Sequence, residues 1–347
     1  ILWTAVYLMQ KTSYNNHYYL LILVCLIMLL LPASNYASLD VKNNPEIKQN
    51  TMPRWCSFVM IFQVAIVYFF ATLAKFYPGW LDGSFTKLIL SNTEFEVFKK
   101  LFTQHWFHLF IAYSGIAFDM LIIPLLLWKR TRTIAFLSAV FFHLFNAIFL
   151  QIGIFPFFAL SFIVFFYPPE KIRSIFFRKK IPVEYAAPIA QNKAALLYFF
   201  LPFFIIQLIL PIRHHFIKGD VLWTEEGHRL SWRMMLRQRQ GYATFRVIDK
   251  KSQTEIPYDY LKKLNQKQQA FVASNPDGIW QMAQIIKKEF AQKGTDVSVF
   301  VNAEASINGG KYNKLVNPET DMATAKWDYF FHNDWILLYD AQGNILK

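Results

Sequence analysis

The sequence predicts an α-helical membrane bundle followed by a β-rich α+β soluble domain, and three observations carry that expectation. Of 347 residues, 54% are hydrophobic and 18% aromatic with only 12 glycines, so the apolar excess is not low-complexity sequence. The excess is uneven: up to Pro211 the chain is mostly Leu, Ile, Phe and Ala runs, and beyond it charged and amide residues recur every few positions. Much of the net charge of +13 sits in short loops between apolar runs, where Lys and Arg set membrane topology, which argues against a nucleic-acid partner. The expected organisation is a transmembrane helical domain over 1–211 and a soluble β-rich domain over 212–347.

The first residue is Ile1, and 1–9 reads as the tail of an apolar helix, not as a signal peptide with a basic start, so an N-terminally truncated bundle is expected. Further runs reach spanning length, given ~30 Å of hydrocarbon and a rise of about 1.5 Å per residue. They are 18–31 with its flanks, 58–74, 109–128, 134–150, 153–167 and 194–212, six in all. Gly153 and Pro156 favour a break or tight turn between the fourth and fifth. Lys129, Arg130 and Arg132 join two spans, and Lys171, Arg173, Arg178, Lys179 and Lys180 lie in a later connection. Two crossings separate these loops, so both are expected on the cytoplasmic side, which requires 153–167 to cross fully. The start of the span near His17, the end of the span near Lys75 and everything after Arg213 then share the opposite, non-cytoplasmic face of a multi-pass protein.

In the soluble half, alternating apolar and polar residues predict strands over 229–236, 242–248 and 297–305, and a helix-like pattern covers 276–292. Pro45, Pro53, Pro182 and Pro188 fall in connections, and no internal repeat is visible. Cys25 and Cys56 have neither metal-ligand nor redox-pair spacing.

Four ionisable groups stand out. Lys75 closes an apolar run with no acidic residue following until Asp82. Such a lysine either snorkels its ammonium to the interface or, held in apolar surroundings as a neutral amine, serves as a general base. His17 follows two amides and a hydroxyl at the start of a span and reads as interfacial or catalytic. Asp119 and His143 lie well inside apolar runs, where ionisable groups are costly and face a polar interior. Asn146 sits three residues after His143 on one helix face; the pair either fixes helix packing or lines a site. No metal-ligand cluster, phosphate loop or nucleophile elbow occurs in the sequence, and the adjacent His214 and His215 do not share a helix face.

Several segments, in order along nearly the whole chain, resemble the vitamin K-dependent gamma-carboxylase family and its HTTM-domain relatives. Lys11-Thr-Ser-Tyr-Asn-Asn-His-Tyr-Tyr-Leu20 is similar to a Lys-Thr-Ser-Trp-Asn-Asn-His segment, departing at Tyr14. Val67-Tyr-Phe-Phe-Ala-Thr-Leu-Ala-Lys75, with Trp80-Leu-Asp-Gly83, resembles the stretch carrying the family's catalytic lysine. His143-Leu-Phe-Asn146 and the following Ile152-Gly-Ile-Phe155 resemble its His-x-x-Asn helix and turn. Ser231-Trp-Arg-Met-Met235, Ser306-Ile-Asn308 and Asn317-Pro-Glu-Thr-Asp321 follow the family's pattern in the soluble half.

The resemblance implies an enzyme that couples oxidation of reduced vitamin K, phylloquinol or menaquinol, to its epoxide with carboxylation of protein glutamate. Oxygen and carbon dioxide are co-substrates and no metal is used. Lys75 matches the lysine that deprotonates the quinol, and His17 the histidine that stabilises a later charged species. Asn16, Asp119, His143 and Asn146 are the pocket candidates. The implied partners are the lipid bilayer, the lipid-soluble quinol and a glutamate-containing protein. Two other readings stay open: a quinol epoxidase that does not carboxylate protein, and a non-catalytic membrane receptor or scaffold.

Overall fold

The computed structural model describes residues 2–49, 51–91, 96–150, 152–176, 178, 193–340 and 342–346. Lys179, Lys180, Pro182 and Pro188 lie outside the described residues. The chain forms two compact units: Ile1–Thr4 with Asn15–Ile209, and Ala5–Tyr14 with Leu210–Lys347.

The first unit is helical. It contains α1 (Asn16–Leu30), α2 (Arg54–Ala74), α3 (His105–Leu127), α4 (Arg132–Phe149), α5 (Phe155–Phe166) and most of α6 (Leu196–Phe216). Among the described residues, α2, α3, α4 and α6 are long and apolar enough to cross a bilayer. Asn15 starts α1: its side-chain oxygen accepts the His17 N–H at 2.7 Å, satisfying one of the open donors of the first turn. The break before α5 falls at Gly153, whose φ of +70° suits glycine, and Pro156 occupies the first turn of the new helix.

Two of the runs expected to span, 18–31 and 153–167, form shorter apolar helices, Asn16–Leu30 and Phe155–Phe166. The apolar run 153–167 forms a helix of only Phe155–Phe166, whose second part, Phe162–Phe166, is 3₁₀. At about 1.5–2 Å per residue it extends roughly 20 Å, short of the ~30 Å hydrocarbon core. Gly153 and Pro156, which favour a break at this point of the sequence, delay the helix start to Phe155.

Packing in this unit follows small residues. Along α3, Ala112, Gly115 and Asp119 are buried on the side that meets α2, and α4 buries Ala135, Ala139 and His143 at four-residue intervals. Phe58, Phe69, Phe110, Met120, Leu137 and Phe141 point outward, as a lipid-facing surface requires.

The second unit carries a four-stranded antiparallel sheet in the order β2-β1-β3-β4, with β1 Arg239–Asp249, β2 Glu255–Ile256, β3 Val297–Ile307 and β4 Asn313–Lys314. β5 (Leu338–Tyr339) and β6 (Ile345–Leu346) pair separately. Alternation sets the register: Ala243 lies opposite Ala303 and Val247 opposite Val299, all buried on one face. That face is covered by α7 (Gln266–Ser274) and α8 (Pro276–Gln292). A capping box between Asn265 and Gln268 starts α7, and Pro276 occupies the first turn of α8, which buries Ile279, Met282, Ala283, Ile286 and Phe290. Gly241 is needed where α7 crosses β1, since a Cβ there would stand 2.5 Å from the Ala273 carbonyl oxygen.

The expected strands at 242–248 and 297–305 and the helix at 276–292 are present. The one at 229–236 is not: this segment is a series of turns with Leu230, Trp232 and Met235 at positive φ. Its alternation has another cause. Trp232 and Leu236 are fully buried, and Arg237 forms an ion pair with Glu225.

Below that segment lies a buried charge cluster. Arg239 donates to the carbonyls of Ser274, Leu222 and Trp223, at 2.5–2.9 Å. Burial alone would raise the Glu225 carboxyl, yet the adjoining positive charges hold it at about 2. Burial pushes His228 down to about 3, so at pH 7 it is neutral and Arg237 and Arg239 carry the effect on Glu225. Both folded values lie below the ordinary 4.5 and 6.5, so the unfolded chain binds more protons in acid. The stability these groups contribute is complete above about pH 6.5 and is lost as pH falls through both folded values. Hydrogen-exchange protection of β1 and β3, corrected for intrinsic rates, is therefore expected to fall on acidification below that pH. A His228→Gln variant should lose the part of the decline between pH 6.5 and 4.5, and a flat wild-type profile would contradict the assignment.

Candidate active site in the membrane unit

Lys75 is the C-cap of α2 and is only 8% exposed, so its ammonium does not snorkel to an interface. The Lys75 Nζ donates to the Ala71 carbonyl at 3.1 Å and to the Asp119 carboxylate on α3. Lys75 thus has a buried carboxylate partner within the helical unit. The nearest acid in sequence is Asp82, but the nearest in space comes from a helix 44 residues on.

Two residues shape this pair. The Trp80 ring, from the short helix Pro78–Leu81, lies 5.4 Å from Lys75 Nζ, where its face attracts a cation. Its indole N–H donates to the Ala112 carbonyl at 2.9 Å, which fixes the ring against α3. Gly115 leaves room for both: a Cβ there would meet Trp80 Cζ2 at 3.5 Å and Lys75 Cε at 3.9 Å. An alanine fits that space and a larger side chain does not.

A second buried polar pair lies deeper. Tyr68 is seven residues before Lys75 on the same face of α2, about 10 Å along its axis. Its hydroxyl meets His143 Nε2 at 3.0 Å, while among the described residues His143 Nδ1 has no hydrogen-bond partner. Phe118, next to Asp119, stands edge-on to both, with centroids 6.0 Å from Tyr68 and 5.7 Å from His143. The adjoining cavity is about 10 Å³, lined mainly by Val64, Ile122, Leu126, Ala139 and Phe162, enough for a single water at most.

His17 reaches this region through Phe155. The His17 ring stacks on Phe155 at 3.8 Å and 12°, and His143 stands edge-on to the same ring at 6.1 Å. Asn16 is buried beside His17 in the first turn of α1, and Asn146 is half-buried one turn beyond His143.

The structure therefore joins Lys75 to Asp119, and His17 to His143 through Phe155. Sequence reasoning passed over Tyr68, Gly115 and Phe155 as individual residues. The signal for Tyr68 was its seven-residue spacing from Lys75; Gly115 and Phe155 gave none apart from their quoted surroundings. Among the described residues there is no group of three or more His, Cys, Asp or Glu placed to hold a metal ion. Chemically, the arrangement offers a hydrogen-bonded amine and carboxylate in a buried site, with an aromatic face beside the amine.

Comparison with known families gives two successive matches. Residues 1–170 match the HTTM domain, and residues 192–342 match the lumenal domain of vitamin K-dependent gamma-carboxylase. No solved structure matches the chain.

Proposed function

Because the chain belongs to the vitamin K-dependent gamma-carboxylase family, we propose that it oxidises reduced vitamin K to the epoxide and uses that oxidation to carboxylate protein glutamate. The observation that carries this reading is the buried Lys75–Asp119 pair beneath the Trp80 ring. Its donor set fits a quinol: a nitrogen base to take a hydroxyl proton, a carboxylate to hold one, and an indole face for an aromatic ring. Reduced vitamin K supplies, with oxygen, the strong base that removes the glutamate γ-hydrogen.

Lys75 and Asp119 hold one exchangeable proton between them. When it rests on Asp119, the Lys75 nitrogen has a free lone pair and takes a proton from a quinol hydroxyl. The O–H bond breaks, its electron pair stays on the quinol oxygen, and the ammonium formed faces that oxygen. Asp119 is then the exit through which the pair returns to one proton. Burial keeps water from competing for the amine. The quinol ring is assigned to the Lys75–Trp80 side, where an indole face adjoins the amine, and His143 and Asn146 to helix packing.

His17 keeps the role of stabilising a charged species formed after the first proton transfer. The second unit, with its match to a lumenal domain, is assigned to the non-cytoplasmic side, and it binds the glutamate-containing polypeptide.

Incorporation of labelled carbon dioxide into a glutamate-rich peptide tests the coupling. Label in the peptide together with epoxide is expected; epoxide without label would leave a quinol epoxidase, and neither product would favour a receptor or scaffold. In the same assay His17→Ala should reduce epoxide formation mildly and carboxylation more strongly, and an equal loss of both would remove its later role.

A further inference from the structure

The second unit presents three consecutive exposed aromatic side chains, Tyr329, Phe330 and Phe331, which are 62%, 70% and 70% exposed. The turn that carries them is braced. The Asp328 carboxylate accepts the backbone N–H groups of Phe330 and Phe331 at 2.8 and 3.0 Å, and the Asn333 side chain accepts the Asp328 N–H at 2.7 Å. The base of the turn is held by the buried carboxylate of Glu226, which accepts the Asn333 N–H and side-chain amide at 2.8 and 2.7 Å and meets His332 Nδ1 at 2.7 Å. A soluble domain seldom holds three adjacent aromatic rings rigidly in water without a surface to receive them.

The position of the turn identifies that surface. Tyr329 and Trp327 line one cavity, of about 80 Å³, together with Lys11 and Arg213. Arg213 belongs to the last turn of α6, a helix long and apolar enough to cross a bilayer. Lys11, whose Nζ lies 5.9 Å from the Trp327 ring, comes four residues before Asn15, the cap of apolar α1. The turn thus shares a cavity with Arg213, in the last turn of an apolar helix, the kind of position where tyrosine and tryptophan gather at a membrane–water boundary. Phe216, the last residue of α6, is itself 80% exposed.

We propose that Tyr329, Phe330 and Phe331 form a membrane anchor that seats the second unit in the headgroup region of a lipid bilayer. Lys326, Asp328 and Asp334 are all exposed within and beside the turn, which therefore has no excess of positive charge to draw it to anionic lipid and suits a zwitterionic one. The inference concerns how this unit meets lipid and does not depend on the assigned chemistry.

The test uses the full chain in phosphatidylcholine nanodiscs, with Cys25→Ser and Cys56→Ala as background. A nitroxide is attached at Phe330→Cys, at Phe331→Cys and at Gln253→Cys, an exposed position distant in sequence. At 330 and 331 the label should collide several-fold more often with oxygen, which concentrates in lipid, than with a water-soluble nickel chelate, relative to the label at 253. A ratio at both positions equal to that at 253 would overturn the anchor. So would protection from both reagents, which would indicate a covering protein, whether a second copy of this chain or a bound polypeptide. Both labelled side chains point outward, so neither substitution opens the core, and agreement between them guards against a local misfold.

Discussion

Replacing Lys75 by Ala should lower quinol epoxidation by ~10²–10⁴-fold, the range a positioned general base supplies. The change is not structurally silent. Lys75 is buried and paired, so its removal strands the Asp119 carboxylate without its cation. In protein interiors, breaking such a pair costs about 3–5 kcal/mol, mostly from the charge left unpaired. A Lys75→Ala, Asp119→Asn double variant separates the two effects, because it removes both charges together. Its stability should recover towards wild type while epoxidation stays low. Small primary amines that diffuse into the vacated space should restore part of the single variant's rate. Near-normal epoxidation by either variant would return Lys75 to a structural role.

Asp119→Asn should reduce epoxidation about 10²-fold, with the loss in kcat and little change in KM for the quinol. The amide keeps the shape of the carboxylate and accepts a hydrogen bond from Lys75 Nζ, but it holds no exchangeable acid proton. The proton that Lys75 gains then has no neighbouring acceptor. In an Asp119→Ala variant, which vacates the space of the carboxylate, formate or acetate supplied in the buffer should raise the rate and leave wild type unaffected. A residue that only packed α3 against α2 would lower stability without responding to a small carboxylate. An Asp119→Asn protein that turns over normally per folded molecule would assign the pair to helix packing.

The division of the chain into helical and sheet-containing regions was legible because each half repeats its own period. α8 could be read from Ile279, Met282, Ala283, Ile286 and Phe290 at helical spacing behind Pro276. β1 and β3 could be read from strict alternation on one buried face. The same period misled at 229–236, where alternate residues are buried by turns at positive φ and by an ion pair with no ladder. Position inside apolar runs was enough to single out Lys75, Asp119 and His143. The partner of Lys75 was not legible, since Asp119 lies on another helix and no local period links helices across 44 residues. Trp80 and Phe155 stood in recognisable segments, but which ionisable side chain each ring would face depends on helix packing.

Quinol oxidation at the Lys75–Asp119 pair is what we propose for this membrane protein. The most direct measurement is chromatographic: purified full-length chain in lipid, supplied with reduced vitamin K, with and without oxygen, and assayed for the epoxide. Oxygen-dependent accumulation of epoxide by wild type, absent from the Lys75→Ala, Asp119→Asn double variant, is the predicted result. Failure of the folded wild-type chain to convert reduced vitamin K under oxygen, or equal conversion by the double variant, would contradict it.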